Sequence, residues 1–135
     1  FGAPVALHPA DERLLLDAHE HALTFGISMP PQKAADRALE DGEKLSAGGL
    51  ILEVIHTPGH TEGGVCLYER SEGVLFSGDT LFAGSVGRTD MEGGSFEKLR
   101  DSILKRILPL GDGVKLYPGH GGPSTIGEER ELNPF

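Results

Sequence analysis

The sequence predicts an α/β fold of the α+β kind, in which a run of strands is flanked by helices. The first observation is the order of the apolar segments, which reads strand, helix, three strands, helix, strand along 135 residues. The second is the composition, since 20 glycines and 9 prolines supply many turns between well-formed apolar runs. A chain of this length forms one domain or part of one.

The first third of the sequence predicts a strand, a helix and a long connection. Pro4–His8 is a short apolar run typical of a strand. Residues 9–26 carry a rough apolar stripe of leucines between a proline and a glycine, which predicts a helix. Residues 27–49 combine prolines, glycines and charges, which indicates a surface connection with a short strand near Ala38–Leu39.

The middle of the sequence predicts three consecutive strands. Residues 50–56, 63–69 and 73–79 are apolar runs of strand length. The sequence RSEG between the last two is typical of a hairpin loop. Residues 81–95 form a glycine-rich loop of a length that compact domains keep mainly for function.

The last third predicts a helix, a strand and a short terminal helix. Ser95 can cap a helix over residues 95–110, whose apolar face comprises Phe96, Leu99, Ile103, Leu104 and Ile107. Residues 113–121 are typical of a strand that runs into a Pro-Gly-His turn. Residues 125–135 predict a short helix that ends at Pro134.

Charge and cysteine content exclude several classes of function. The net charge is −9, and no cluster of Lys or Arg offers support to a nucleic acid or a membrane surface. The apolar runs are far shorter than the roughly 18 residues of a membrane span. A single cysteine, Cys66, excludes an internal disulfide and predicts a cytoplasmic location. Because the chain begins with Phe1 rather than Met, we expect natural sequence upstream.

Three residues of metal-binding type follow the ends of predicted strands. They are His60, Asp79 and His120. Loops at one edge of a sheet are where α/β folds place their chemistry, and two histidines with a carboxylate suit Zn²⁺, Mn²⁺ or Fe²⁺. A Pro-Gly pair precedes each histidine and lets the backbone turn sharply. We therefore interpret the three residues as candidate metal ligands.

The other histidines and the cysteine have simpler interpretations. One Pro-Gly-His sequence alone is usually only a turn, and two of them with a strand-ending Gly-Asp favour a metal site. We interpret His56 as a strand-end residue, and His19 and His21 as solvated residues of a helix. We interpret Cys66 as buried packing because no base is visibly coupled to it.

Three segments carry a resemblance to a known family. HTPGHTEGG, LFSGDTLFAGSVGRTD and LYPGHGGPSTIGEERELNPF resemble, in this order, the C-terminal half of the metallo-β-lactamase superfamily. They are most similar to its short bacterial glyoxalase II-like branch, the hydroxyacylglutathione hydrolases. The resemblance implies an αββα metallo-β-lactamase sandwich. Residues 1–135 would supply the C-terminal portion of that single domain.

The resemblance also implies a two-metal centre and a hydrolase. His60 would bind the first metal, Asp79 would bridge both metals as the catalytic carboxylate, and His120 would bind the second. Two zinc ions are expected, with iron or manganese as alternatives. A bridging hydroxide would attack a thioester carbonyl and release a hydroxy acid and a thiol. The implied parent protein is a metal-dependent hydrolase of small-molecule thioesters.

The sequence departs from the family pattern in two respects. Longer family members carry an extra C-terminal helical region that helps to bind glutathione, whereas this sequence stops at NPF. The second departure concerns the metal ligands. The His-x-His-x-Asp-His motif, which supplies the remaining ligands, does not occur in the 135 residues. Each metal would keep two protein ligands, whereas catalytic zinc usually has three. We therefore expect the chain alone to be inactive. Because half a sandwich exposes an apolar sheet face, we expect it to associate with its N-terminal half or with a second copy.

The GRTD sequence leaves the role of Arg88 open. Its guanidinium can bind a substrate carboxylate through two hydrogen bonds, and a buried structural pair with Asp90 is equally compatible. Two other functions also stay open. One is a persulfide dioxygenase-like enzyme with a single iron, and the other is a catalytically silent fragment that serves as an assembly partner.

Overall fold

The computed structural model describes residues 2–135, so Phe1, the first residue of the predicted domain portion, lies outside the described residues. Two compact units are present, one ending at Leu39 and one extending over Glu40–Phe135. Strands and four α-helices occur together, which confirms the predicted α/β class. Within residues 2–135 no helix has both the length and the apolar character needed to cross a lipid bilayer.

The N-terminal unit contains two short strands and two short helices. Strand β1 (Ala6–Leu7) pairs in parallel with β2 (Arg37–Ala38), close to the positions predicted. A 3₁₀ turn over Pro9–Asp11 leads into α1 (Glu12–Leu16), which is followed by α2 (Ala18–Thr24).

The prediction of one amphipathic helix over residues 9–26 is wrong. The helix is divided at Asp17, whose carboxylate lies 3.2 Å from the Nε of Arg13. No residue of α1 or α2 is buried, and Leu23 is 61% exposed. Helices of five and seven residues are too short for a continuous apolar stripe, so the leucine pattern does not correspond to a packed helix face.

The second unit is built on a six-stranded sheet. Its strands are β3 (Lys44–Ala47), β4 (Leu50–His56), β5 (Val65–Glu69), β6 (Val74–Gly78), β9 (Lys115–Pro118) and β10 (Ser124–Thr125). The spatial order is β10-β9-β6-β5-β4-β3, and only the β6–β9 pair is parallel. The strands predicted over residues 50–56, 63–69, 73–79 and 113–121 are confirmed, with shorter bounds for the last three.

Four further strands of the described residues were not predicted. The edge strand β3 lies in the segment predicted as a surface connection, and the hairpin of β7 (Leu81–Phe82) and β8 (Ser85–Val86) lies in the predicted loop. Strand β10 has only two residues. All of them are too short or too exposed to show an alternating apolar pattern, which is the signal that identifies strands in a sequence.

The predicted helix over residues 95–110 is confirmed in position but changes its hydrogen bonding along its length. It begins as α3 (Phe96–Ser102), with the hydroxyl of Ser95 accepting from the backbone N–H of Lys98 as predicted. It continues as a π-helical segment over Ile103–Ile107 and ends in a 3₁₀ turn over Leu108–Leu110.

The predicted apolar face of this helix is partly wrong. Leu99, Ile103 and Ile107 are fully buried, whereas Phe96 and Leu104 are about half exposed. Phe96 begins the helix ahead of its buried residues, and Leu104 follows a buried residue directly and so points to a different side.

One face of the sheet carries the core of the second unit. The buried cluster comprises Ile55, Cys66, Tyr68, Leu75, Leu81, Leu99, Ile103, Ile107, Leu108, Val114, Leu116 and Ile126. The last of these begins α4 (Ile126–Leu132), the short helix predicted near the C-terminus. Burying each large aliphatic side chain stabilises the fold by about 1.5–3 kcal/mol before entropic costs.

The other face of the sheet carries an exposed aromatic pair. Leu67, Phe76 and Tyr117 lie opposite one another on β5, β6 and β9. The rings of Phe76 and Tyr117 stack with centroids 6.0 Å apart and are 44% and 43% exposed. We call these three residues the open face.

Candidate metal centre

Three strands deliver the candidate ligands to one edge of the sheet. Strands β4 and β6 run in the same direction because each is antiparallel to β5, and β9 is parallel to β6. Their C-terminal ends therefore lie at the same edge. His60 follows β4, Asp79 follows β6 and His120 follows β9, so the topology brings together the three residues that the sequence singled out.

The carboxylate of Asp79 lies between the two imidazoles. Its Oδ2 is 3.6 Å from the Nε2 of His60, and its Oδ1 is 3.3 Å from the Nε2 of His120. Each carboxylate oxygen thus faces a different histidine. Such an arrangement suits a carboxylate that is shared between two cations, one beside each imidazole.

His60 is held so that its Nε2 is available. Its Nδ1 lies 2.8 Å from the backbone carbonyl oxygen of Arg88. Because a carbonyl oxygen can only accept, Nδ1 carries the proton, and in the neutral ring the lone pair is on Nε2, toward Asp79. A backbone carbonyl that fixes the tautomer in this way is usual for metal-binding histidines.

The turn that follows β9 has room only for glycine at the point where its backbone passes Asp79. A Cβ at Gly119 would lie 2.7 Å from the Oδ1 of Asp79 and 3.2 Å from the carbonyl oxygen of Gly78. The backbone of the second Pro-Gly-His turn therefore packs directly against the carboxylate. This close approach is the structural reason for the glycine that precedes His120.

His120 is the more exposed of the two histidines and packs on an aromatic ring. Its side chain is 76% exposed, compared with 24% for His60. The ring of Phe82, in the β7–β8 hairpin, meets it edge-on with centroids 5.9 Å apart. The position of that hairpin therefore affects the orientation of His120.

Two residues near the C-terminus hold the hairpin, and the sequence analysis missed them. The buried carboxylate of Glu129 accepts from the backbone N–H of Gly84 at 2.8 Å. The amide of Asn133 donates to the carbonyl oxygens of Phe82 and Ser85. Asn133 begins the terminal NPF, which contributed to the family resemblance without a structural explanation, and Glu129 had no separate signal in the sequence.

Arg88 forms the structural pair that the sequence left as one of two interpretations. Its Nε and Nη2 donate to the two carboxylate oxygens of Asp90 at 2.8 and 2.9 Å. This pairing raises the pKa of Arg88 and lowers the pKa of Asp90 to about 2. The prediction that this pair is buried is wrong, because both side chains are more than 60% exposed and the guanidinium can be reached by solutes.

The interpretations of His56 as a strand-end residue and of Cys66 as buried packing are confirmed, whereas His19, interpreted as solvated, is half-buried. His56 is the last residue of β4, and its Nε2 lies 2.9 Å from the carbonyl oxygen of Glu62 rather than beside Asp79. Cys66 is fully buried under the hydroxyls of Thr57 and Thr80. Burial raises the pKa of its thiol, which makes it a poor nucleophile.

The donors present suit divalent metals but do not complete a site. Imidazole nitrogen and carboxylate oxygen are ligands for zinc, iron and manganese. Within residues 2–135, however, no group of three His, Cys, Asp or Glu side chains has the arrangement needed to hold an ion. Each of two ions would have one histidine and one oxygen of Asp79.

Comparison with sequence families and known relatives agrees with this picture. The family model described as the metallo-beta-lactamase superfamily matches residues 1–123. An uncharacterized protein of Mycobacterium tuberculosis is 38% identical over 146 residues, covering 100% of this chain and 65% of the relative. The hydroxyacylglutathione hydrolase GloC of Haemophilus influenzae is 40% identical over 126 residues, covering 93% of this chain and 59% of the relative.

Solved structures extend the similarity to the fold. The BLEG-1 B3 metallo-beta-lactamase superposes with a TM-score of 0.90 at 42% identity, covering 100% of this chain and 66% of that one. TTHA1623 in a di-iron-bound form gives 0.88 at 41% identity, with 98% and 64% covered. ETHE1 from Myxococcus xanthus gives 0.70 at 32% identity, with 74% and 45% covered. The chain thus spans about 65% of the length of the first curated relatives that it matches.

Proposed function

This chain belongs to the metallo-beta-lactamase superfamily of metal-dependent hydrolases, and from that premise we propose that its parent protein hydrolyses thioesters of the hydroxyacylglutathione type. The observation that carries the proposal is the position of Asp79, with one carboxylate oxygen toward the Nε2 of each histidine. The 40% identity to a hydroxyacylglutathione hydrolase supports the thioester as the substrate class.

Two metal positions follow from this geometry. His60 with Asp79 would contribute to the first, and His120 with Asp79 would contribute to the second. Divalent metals bound there would polarise the thioester carbonyl and bring the pKa of water to about 7. We propose zinc in both positions, with manganese or iron as alternatives. The similarity to a protein solved in a di-iron-bound form supports iron as the first alternative to test.

The protein groups around the metal positions have separate roles in this proposal. The carbonyl oxygen of Arg88 keeps the Nδ1 of His60 protonated and its Nε2 free. The negative charge of Asp79 balances cations on both sides. The guanidinium of Arg88, exposed and already in bidentate contact with Asp90, would exchange that partner for a carboxylate of the glutathione moiety.

We further propose that the missing metal ligands come from outside these 135 residues. Two donors per ion are fewer than the three protein ligands that catalytic zinc usually has. The chain covers about 65% of the length of its relatives, and the open face of the sheet exposes Phe76 and Tyr117. An N-terminal portion of the domain that packs on the open face would supply both the ligands and the cover. The 135-residue chain alone should then be inactive.

A cytoplasmic location is part of the same proposal. The single cysteine is buried and reduced, which suits a reducing compartment, and a glutathione thioester is a substrate of such a compartment.

The test uses the full-length protein that contains this chain. We expect it to hold two equivalents of metal and to hydrolyse an S-(hydroxyacyl)glutathione to the acid and free thiol. Asp79→Ala should remove a ligand from both ions and lower kcat/KM by more than about 100-fold, the upper range for residues that only orient a ligand. His19→Ala is the matched control, because that half-buried imidazole belongs to α2 and its Nδ1 lies 3.0 Å from the carbonyl oxygen of Leu16, at the end of α1.

Three outcomes would contradict the proposal. Oxygen uptake with a persulfide substrate and one iron per chain would replace the hydrolase with the dioxygenase-like alternative. Full activity in the Asp79→Ala variant would refute the metal assignment itself. A full-length protein with neither metal nor activity would leave the silent assembly partner as the better interpretation.

A further inference from the structure

The geometry points to one side of the helix over residues 96–107 as a positioning element for His60. We call this side the brace, and it comprises Ser95, Leu99, Ser102 and Arg106. Its target is the loop 56–60, which joins β4 to the first candidate ligand. The inference rests on the proposed metal centre, and it assigns to the brace the affinity of the first metal position.

The sequence spacing of the brace matches one helix face. Its four residues follow one another at intervals of four, three and four, which places them in a line along the helix. Their partners run in the opposite direction along the loop. The backbone N–H of Ser95 donates to the carbonyl oxygen of Gly59 at 2.8 Å, and the hydroxyl of Ser102 donates to that of Pro58 at 2.8 Å.

Close backbone contact fixes the middle of the loop. A Cβ at Gly59 would collide with the backbone of Leu99, so the helix lies directly against the peptide that precedes His60. The φ of Gly59 is 142°, a value that L side chains rarely adopt. Leu99 is fully buried and Ser102 is 4% exposed, so this contact is shielded from water.

An ion pair fixes the beginning of the loop. The Nη2 of Arg106 donates to both carboxylate oxygens of Asp41 at 2.9 and 3.0 Å, and its Nη1 lies 3.5 Å from the carbonyl oxygen of His56. The Oδ1 of Asp41 accepts from the backbone N–H of His56 at 2.8 Å. One ion pair therefore holds both the N–H and the carbonyl group of the residue at which the loop leaves the strand.

These contacts determine where the imidazole of His60 lies. The carbonyl groups of residues 56, 58 and 59 all point to the brace, which leaves the side chain of His60 on the side of Asp79. His120 is carried by the separate loop after β9. Loosening the brace should therefore affect the first metal position and spare the second.

The experiment is a Co²⁺ titration of the metal-free, full-length protein followed by visible absorption. His60→Ala and His120→Ala identify which binding step belongs to which position. Arg106→Gln is the test variant. Lys105→Gln is the matched control, because it removes the same charge from the preceding residue of the same helix, where the Nζ of Lys105 pairs with Asp101 at 2.7 Å.

We expect Arg106→Gln to weaken the step lost in His60→Ala by about tenfold, the lower range for residues that orient a metal ligand. The step lost in His120→Ala should be unchanged, and Lys105→Gln should leave both steps unchanged. Asp41→Asn should weaken the first step as well. The double variant should lose less binding free energy than the sum of the losses in the two single variants, because both residues act through one contact.

Equal weakening of both steps in Arg106→Gln, an unchanged first step, or the same loss in Lys105→Gln would overturn the inference. If Arg106→Gln does not fold by circular dichroism, Ser102→Ala decides by the same criteria, since it removes one hydroxyl. A wild-type protein that binds no Co²⁺ would overturn the proposed metal centre and this inference together. Normal wild-type binding with no selective effect would overturn this inference alone.

Discussion

Asp79 is the residue on which the candidate site depends. Its two oxygens face different histidines at 3.6 and 3.3 Å, and its position follows from a strand end and a tightly packed turn. The sequence predicted this residue and both histidines because each lies just past the end of an apolar strand. It could not predict the carbonyl of Arg88 that orients His60, since a backbone contact across 28 residues leaves no signature in residue types.

Replacing Gly119 with alanine tests how tightly the turn packs on Asp79. The new Cβ would lie 2.7 Å from the Oδ1 of Asp79, so the carboxylate must move away from His120. We expect metal affinity at the second position to fall by about tenfold, as for other changes that misplace a ligand. Gly122→Ala is the control, because a Cβ there meets nothing within 4 Å. Equal affinities in the two variants, measured by Co²⁺ titration, would contradict this packing argument.

The pairing of Arg88 with Asp90 makes a prediction for pH dependence. The guanidinium holds the pKa of Asp90 at about 2, below its ordinary value of 3.8. Because the folded-state pKa is lowered, the stabilisation is present above about pH 4 and is lost as the pH falls toward 2. Arg88→Gln should return the pKa of Asp90 toward 3.8, as measured by NMR titration. A pKa that stays near 2 in this variant would show that Arg88 is not the cause.

Elements with a strong apolar pattern could be predicted, and those without one could not. Strands β4, β5 and β6 were identified because each is an apolar run of strand length, and each contains buried residues. The edge strand β3 has no buried residue, and the β7–β8 hairpin has two residues on each side. Their stability comes from pairing with neighbours, which a single sequence does not display.

The helix α4 tests the energetic value of a cap. The hydroxyl of Thr125 accepts from the backbone N–H of Glu128 at 3.2 Å, and the Glu128 carboxylate accepts from the N–H of Thr125 at 3.0 Å. Thr125→Ala should lower the free energy of unfolding by about 1 kcal/mol, measured by urea denaturation of the full-length protein. Thr125→Ser keeps the hydroxyl and should retain most of the stability. Equal losses in the two variants would mean that the methyl group, not the cap, matters.

At the scale of the whole molecule, the sequence predicted the superfamily and its fold, and the comparisons confirm both. It did so through three motifs whose candidate ligands, His60, Asp79 and His120, follow strands that end at one edge of one sheet. Composition and periodicity could not show whether the open face of the sheet is covered or exposed. An apolar residue on a strand gives the same sequence pattern whether its face is covered or exposed, because coverage depends on what packs against that face.

The open face predicts how the 135-residue chain behaves without its proposed N-terminal portion. Phe76 and Tyr117 are each more than 40% exposed on central strands, so self-association should cover them and remove apolar surface from water. We expect sedimentation equilibrium to detect concentration-dependent association, and Phe76→Lys to weaken it by at least about tenfold, since a charge would have to be buried. Leu132→Lys is the control, because that residue is 75% exposed on α4, away from the open face. A wild-type chain that stays monomeric at high concentration would contradict the prediction, and so would equal weakening in both variants.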